Sequence, residues 1–153
     1  MANTGKANRK IVVDRLEWVD RMVEDIRSLP LGSLDVFLKD RRNVAAAESC
    51  LRRALEALLD LGRHLLSKVC STPVTEYKKI AEELASKGLL APEAAQRLRI
   101  LAGYRNRLVH FYHQVSPEEL YEICTLQLED LLLARRAFAE WLQKHPESMD
   151  DRL

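Results

Sequence analysis

The stretch "AESCLRRALEALLDLGRHLL", residues 47–66, decides the fold, because its apolar residues recur at helical spacing from end to end. The central stripe consists of Ala47, Leu51, Ala54, Leu58, Leu61 and Leu65. Three further leucines, Leu55, Leu59 and Leu66, make the apolar face wider than that of a surface helix. The pattern predicts a long helix that is buried on two sides, at the centre of a helical bundle.

Two helices are predicted on either side of this segment. The first carries an apolar stripe of Val12, Leu16, Val19, Val23 and Ile26 and ends where Pro30 and Gly32 interrupt the pattern. The next begins after Pro73, with Thr72 or Thr75 as its N-cap, and Gly88 ends it just after Lys87.

Two more helices follow. Pro92 suits an early position of a helix whose stripe is Ala94, Leu98, Leu101 and Leu108. Ser116 and Pro117 are typical of the start of a last helix, whose stripe is Leu120, Cys124, Leu128, Leu131, Phe138 and Leu142. The sequence therefore predicts an all-α, mostly antiparallel bundle of about five helices.

Length and composition are those of one globular domain. The chain has 153 residues, of which 47% are hydrophobic and 31% charged, with few glycines and prolines. Three widely spaced cysteines predict reduced thiols, and no apolar run approaches the ~18 residues of a membrane span. We expect a cytoplasmic protein without a cofactor, with tails at residues 1–10 and 145–153 around a bundle at residues 11–144.

The segment "GYRNRLVHFY", residues 103–112, gathers most of the polar, titratable side chains that stand out from this scaffold. Arg105 continues the inward stripe of the fourth helix, where a guanidinium is costly unless it is paired or faces a polar cleft. His110 follows five residues later, which on a regular helix is a turn of about 140° and a rise of about 7.5 Å. For both to act on one phosphate, either the helix unwinds near Val109 or two copies meet across a symmetric dimer seam.

An Arg/His pair of this kind can cleave RNA through the neighbouring 2′-hydroxyl without a metal ion. The histidine would transfer the proton near neutral pH, and the arginine would stabilise charge on the phosphate. Spacing alone leaves open that His110 only caps or packs a helix end. His113 adds an HxxH pattern, but no Cys, Asp or Glu nearby completes a metal site.

Positive charge is concentrated around this segment although the net charge is only +1. No acidic residue lies between Glu93 and Glu118. The basic side chains that we expect to contact RNA are Arg97, Arg99, Arg107 and His113. The alternative is that these arginines pair with acidic residues of other helices.

The segment "YRNRLVHFY" matches the RX4HXY motif of HepT-like ribonuclease toxins, members of the HEPN domain superfamily, and the resemblance extends over about residues 12–142. It implies a metal-independent endoribonuclease that is active as a homodimer and is the toxin of a type VII toxin–antitoxin system. Arg105 and His110 would be catalytic and Asn106 supporting. A partner nucleotidyltransferase of the MNT type would silence the toxin by transferring AMP to Tyr112.

The family often has Arg where this chain has Ser49, so any contact of that arginine is missing here. Another interpretation is a non-catalytic helical partner, or a nucleotide-binding module, of an MNT-type nucleotidyltransferase, with Arg105 holding phosphate. A helical scaffold with a satisfied Arg/His pair is the third.

Overall fold

The computed structural model describes residues 5–151 of the chain, apart from the side chain of Tyr112. The helices are α1 (Arg9–Arg27), α2 (Leu34–Leu38), α3 (Arg41–Lys68), α4 (Tyr77–Ser86), α5 (Pro92–His110), α6 (Pro117–Glu122) and α7 (Leu128–Lys144). The remaining elements are two 3₁₀ turns (Tyr112–Gln114 and Pro146–Ser148), a π-helical turn (Ile123–Gln127) and the strands β1 (Ala7–Asn8) and β2 (Met149–Asp150). The predicted all-α bundle is confirmed.

Helix α3 is the centre of the bundle. It packs against α1, α2, α4, α5 and α6, and every residue of the predicted apolar face is buried. Burial of one leucine side chain stabilises the folded state by about 1.5–3 kcal/mol. With its many buried leucines, α3 therefore contributes more to the stability of the core than any other helix. The neighbouring helices are consequently arranged around it.

Gly62 allows two helices to approach α3 closely. A Cβ atom at this position would lie 2.9 Å from Ile80 Cγ2, 3.0 Å from Leu84 Cδ1 and 3.4 Å from Phe138 Cζ. The first two separations are shorter than ordinary van der Waals contact, so an added side chain would require the Ile80 and Leu84 side chains to shift. The glycine therefore sets the distance between α3 and α4, and α4 carries one wall of the groove described below.

The helix ends agree with the sequence in most places. Pro92 and Pro117 lie in the first turns of α5 and α6, and the Ser116 hydroxyl accepts a hydrogen bond from the Glu119 amide. Gly88 ends α4 with a left-handed φ of 79°, in a Schellman arrangement in which the Leu89 amide donates to the Leu84 carbonyl.

Three features of the helices differ from the prediction. Neither Thr72 nor Thr75 caps α4, which begins later, after Glu76, while the Thr72 hydroxyl donates to the Cys70 carbonyl. The short helix α2 was not predicted, because five residues are too few to display helical periodicity; it buries Phe37. The last helix is interrupted by the π-helical turn, although its predicted stripe is buried throughout.

The two predicted tails meet in the structure instead of extending separately. Strand β1 pairs with β2 in parallel register, and Ala7 is completely buried. His64 Nε2 accepts a hydrogen bond of 3.0 Å from the Asn8 amide, and burial lowers the pKa of its imidazole. His145 is half-buried and stacks on the Trp141 ring at 4.2 Å.

Within residues 5–151, no helix is long and apolar enough to cross a membrane.

Substitution of the helical glycines tests the close approach at Gly62. We expect Gly62→Ala to lower the free energy of unfolding relative to Gly103→Ala by about 1–3 kcal/mol, the usual cost of overpacking. Both substitutions relieve the entropic cost of a helical glycine, but an added Cβ at Gly103 meets no atom within 4 Å. Urea unfolding followed by circular dichroism measures the difference, and equal stability of the two variants would contradict the tight contact.

Candidate functional site

An open groove of about 720 Å³ lies between the start of α4 and the second half of α5. The polar side chains on its wall come from three helices, α3, α4 and α5, and from the loop before α4. The lining residues are Arg63, Thr75, Glu76, Tyr77, Lys78, Ile100, Gly103, Tyr104, Arg105, Asn106, Arg107, His110 and Phe111. The groove therefore contains Arg105, Asn106 and His110, which the sequence singles out.

Arg105 is held in the wall of this groove by three neighbours. Its side chain is only 18% exposed, as its position on the inward stripe of α5 predicts. The guanidinium carbon lies 4.3 Å from the centre of the Tyr77 ring, and Nε lies 3.5 Å from a carboxylate oxygen of Glu56. Nη1 donates a hydrogen bond of 3.3 Å to Asn106 Oδ1. Glu56 offsets the cost of burying the charge, and Asn106 accepts the one hydrogen bond that the guanidinium donates to a described side chain.

A second layer of contacts fixes Tyr77 itself. Its hydroxyl donates a hydrogen bond of 3.0 Å to Asp60 Oδ1, and the same oxygen lies 2.6 Å from Arg63 Nη2. The Arg63 guanidinium carbon is 5.2 Å from the Tyr77 ring centre. Burial and the adjacent Asp60 carboxylate raise the pKa of the Tyr77 hydroxyl, so it keeps its proton and remains a donor.

His110 is the last residue of α5 and is exposed. Helix α5 continues without interruption through Val109, so the unwinding considered from the sequence is not observed. The His110 ring lies edge-on to Phe111, with 6.5 Å between their centres, and makes no hydrogen bond to another described side chain. Arg105 and His110 nevertheless line one groove, and His110 is its histidine.

The arginines predicted to bind RNA are paired with acidic residues of other helices. Arg97 lies 3.5 Å from Asp130 and Arg99 lies 3.3 Å from Glu82; neither arginine lines the groove. The paired state was the alternative interpretation of the acid-free window, which sequence alone cannot decide because the acids belong to distant segments.

Arg107 differs from Arg97 and Arg99 because it lines the groove as well. Its guanidinium grips both carboxylate oxygens of Glu119, at 2.5 and 2.8 Å, and donates to the Gln114 carbonyl at 3.3 Å. This hydrogen-bonded pair lowers the pKa of Glu119. Arg107 thus ties α5 to the start of α6 across the 3₁₀ turn, which contains the exposed His113; His113 does not line the groove.

The backbone of Tyr112 begins this 3₁₀ turn, two residues beyond His110, and its side chain lies outside the described part of the chain. Among the described residues, no group of three or more His, Cys, Asp or Glu side chains could hold a metal ion.

Sequence analysis missed the supports of Arg105. Glu56, Asp60 and Arg63 recur at helical spacing along one edge of the apolar face of α3. That periodicity of charge beside a buried stripe is a signal that they face a polar cleft between helices. Tyr77 carried no comparable signal, because its position depends on where α4 begins.

Comparison with known proteins agrees with the fold and the motif. A family model described as "Ribonuclease HepT-like" matches residues 19–137. The tRNA nuclease HepT of Aphanizomenon flos-aquae is 28% identical over 132 residues, which cover 86% of this chain and 90% of that protein.

Two solved structures have the same fold. The cytosolic protein YutE of Bacillus subtilis, of unknown function, superimposes with a TM-score of 0.80 at 16% identity, over 97% of this chain and 99% of that one. A tri-AMPylated Shewanella oneidensis HEPN toxin in complex with MNT antitoxin gives 0.75 at 19% identity, over 85% and 97%. Since the family model spans most of the bundle, including the motif, the chain belongs to the ribonuclease HepT-like family.

Proposed function

We propose that this protein is an endoribonuclease toxin of a toxin–antitoxin system and that it cleaves RNA in the groove without a metal ion. The observation that carries the proposal is the presence, in one groove, of a partly buried, oriented Arg105 and an exposed His110. The tRNA nuclease similar to this chain supports the choice of RNA as the substrate.

The groove supplies the two functions that cleavage by a 2′-hydroxyl requires. The 2′-oxygen attacks phosphorus, the bond from phosphorus to the 5′-oxygen breaks, and a cyclic phosphate and a 5′-hydroxyl result. His110 takes the proton from the 2′-hydroxyl or gives one to the departing oxygen. Arg105 donates hydrogen bonds to the phosphate oxygens, where negative charge builds up, and Asn106 limits the motion of Arg105.

The paired arginines supply the remaining contacts to RNA. Exposed ion pairs contribute only about 0–1 kcal/mol, so a phosphate can replace the carboxylate beside Arg97 or Arg99. Arg107, which lines the groove, and His113, in the 3₁₀ turn after α5, would contact the nucleotides next to the cleaved bond. Binding of this kind weakens with added salt.

A second copy of the chain completes the site. Ile100 and Phe111, on the groove wall, are 46% and 49% exposed although both are large and apolar. A two-fold axis beside the groove would cover them and would bring two Arg105 and two His110 side chains together. The homodimer is therefore part of the proposed active form.

Control of the toxin is assigned to Tyr112. We propose that an MNT-type nucleotidyltransferase antitoxin transfers AMP to its hydroxyl, as the AMPylated state of the similar Shewanella toxin suggests. The added phosphate would be two residues from His110, where it repels RNA and obstructs the groove.

Alanine variants test the catalytic assignment. We expect Arg105→Ala and His110→Ala to slow RNA cleavage by about 10²–10³-fold, since each removes a group that acts in the transition state. Arg27→Ala, which removes an exposed arginine paired with Glu129 outside the groove, is the control and should change the rate by less than about threefold. Cleavage of labelled tRNA in buffer containing EDTA is the measurement, with detection of cyclic phosphate ends; equal cleavage by all four proteins would exclude the ribonuclease assignment.

Mixed dimers test the contribution of the second copy. When Arg105→Ala and His110→Ala chains are unfolded together and refolded, the mixed dimer retains one intact Arg105 and one intact His110. We expect its activity to exceed that of either parent by at least about tenfold, because one functional pair is restored across the seam. Activity no greater than the sum of the parents would show that each groove works alone.

Mass spectrometry tests the modification site. Incubation with the antitoxin and ATP should add AMP to the peptide that contains Tyr112 and abolish cleavage. Tyr112→Phe should remain unmodified, and Tyr121→Phe should be modified like the wild type because Tyr121 hydrogen-bonds to Leu31 away from the groove. Modification confined to another tyrosine would refute the assignment.

A further inference from the structure

The aromatic ring of Tyr77 forms the surface on which the Arg105 guanidinium rests. The distance of 4.3 Å between the guanidinium carbon and the ring centre is that of a face-on cation–π contact. Tyr77 is the first residue of α4 and Arg105 belongs to α5, so the contact joins two helices across the floor of the groove.

The other contacts of Arg105 do not by themselves fix the orientation of its guanidinium. Its Nε is buried without a hydrogen-bond partner, and the Glu56 oxygen nearest to it is 3.5 Å away. The hydrogen bond from Nη1 to Asn106 is long at 3.3 Å. The Tyr77 ring, 4.3 Å from the guanidinium carbon, is therefore the main remaining contact of the guanidinium, and Nη2 makes no hydrogen bond to a described residue.

Tyr77 is itself prevented from rotating away. Its hydroxyl donates to Asp60 at 3.0 Å. The Asp60 carboxylate is in turn held by Arg63, which follows it by three residues on α3. Asp60 and Glu56 are one helical turn apart on α3, so a single edge of that helix supports both the ring and the guanidinium. Asp60 therefore holds Tyr77, and Tyr77 in turn supports Arg105.

We propose that Tyr77, anchored by Asp60, is a positioning residue that presents the Arg105 guanidinium to the phosphate of the substrate. The inference rests on the proposed ribonuclease function and adds a residue outside the RX4HXY motif to it. Tyr77 acts on the reaction through Arg105, because its hydroxyl is hydrogen-bonded to Asp60 and Arg63 lies beside its ring. A displacement of the guanidinium by about 1 Å is enough to cost about 10²-fold in rate.

Three variants separate the ring, the hydroxyl and general packing. Tyr77→Leu removes the ring, and we expect the single-turnover cleavage rate to fall by about 10–100-fold while the dissociation constant for RNA changes by less than about threefold. Tyr77→Phe keeps the ring and should restore the rate to within about fivefold of the wild type. Tyr121→Leu removes another half-buried tyrosine, whose ring is tilted against Phe37, and should cleave at the wild-type rate.

Two results would overturn the inference while leaving the ribonuclease assignment in place. One is a wild-type rate for a folded Tyr77→Leu protein. The other is a Tyr77→Phe protein as slow as Tyr77→Leu, which would show that the ring does not hold the guanidinium. If the wild type itself does not cleave RNA, the proposed function fails instead.

The contact can also be measured without cleavage. The Arg105 Nε–H resonance, assigned by its loss in Arg105→Lys, lies near the Tyr77 ring and should carry a ring-current shift. The shift should be lost in Tyr77→Leu and retained in Tyr77→Phe. An Arg105 resonance that is the same in all three proteins would contradict the stacking, whatever the protein does to RNA.

Discussion

Burial of helix α3 constrains everything else in the molecule, because one continuous apolar face must be covered by five other helices at once. At Gly62 the packing is so close that an added Cβ atom would lie within 3.0 Å of the Ile80 and Leu84 side chains of α4. The same packing fixes where α4 begins, and the first residue of α4 is Tyr77. The position of a groove residue is thus a consequence of core packing on the other side of the same helices.

The polar side chains along the edge of the apolar face of α3 connect this packing to the groove. Glu56 and Asp60 are adjacent to the buried leucines, where carboxylates are costly to leave without partners. Each has a partner: Glu56 lies 3.5 Å from Arg105 of α5, and Asp60 accepts hydrogen bonds from Tyr77 of α4 and from Arg63 of α3 itself. The requirement to satisfy buried charge and the requirement to orient Arg105 are met by the same contacts.

Sequence periodicity was sufficient for the helices and for the inward placement of Arg105, because both depend on local spacing. It was insufficient for α2, which is too short to display periodicity, and for the start of α4 and the pairing of the two chain ends. Periodicity also does not give the ion pairs of the positive window, because the acidic partners of Arg97, Arg99 and Arg107 all belong to other helices. Counting charges along the sequence therefore overestimated the number of arginines without an acidic partner.

The ion pairs bear directly on how a phosphate can be bound. Every arginine that lines the groove faces a carboxylate: Arg63 faces Asp60, Arg105 faces Glu56 and Arg107 faces Glu119. A single groove therefore has less net positive charge than its list of arginines implies, and a phosphodiester gains little from entering it alone. Two grooves that face each other would double the density of partly neutralised cations and add a second exposed histidine. Phosphate binding would therefore be stronger in the proposed dimer than in a single groove, and the dimer would also bring together an Arg105 and a His110 that the continuous α5 helix separates along its axis within one chain.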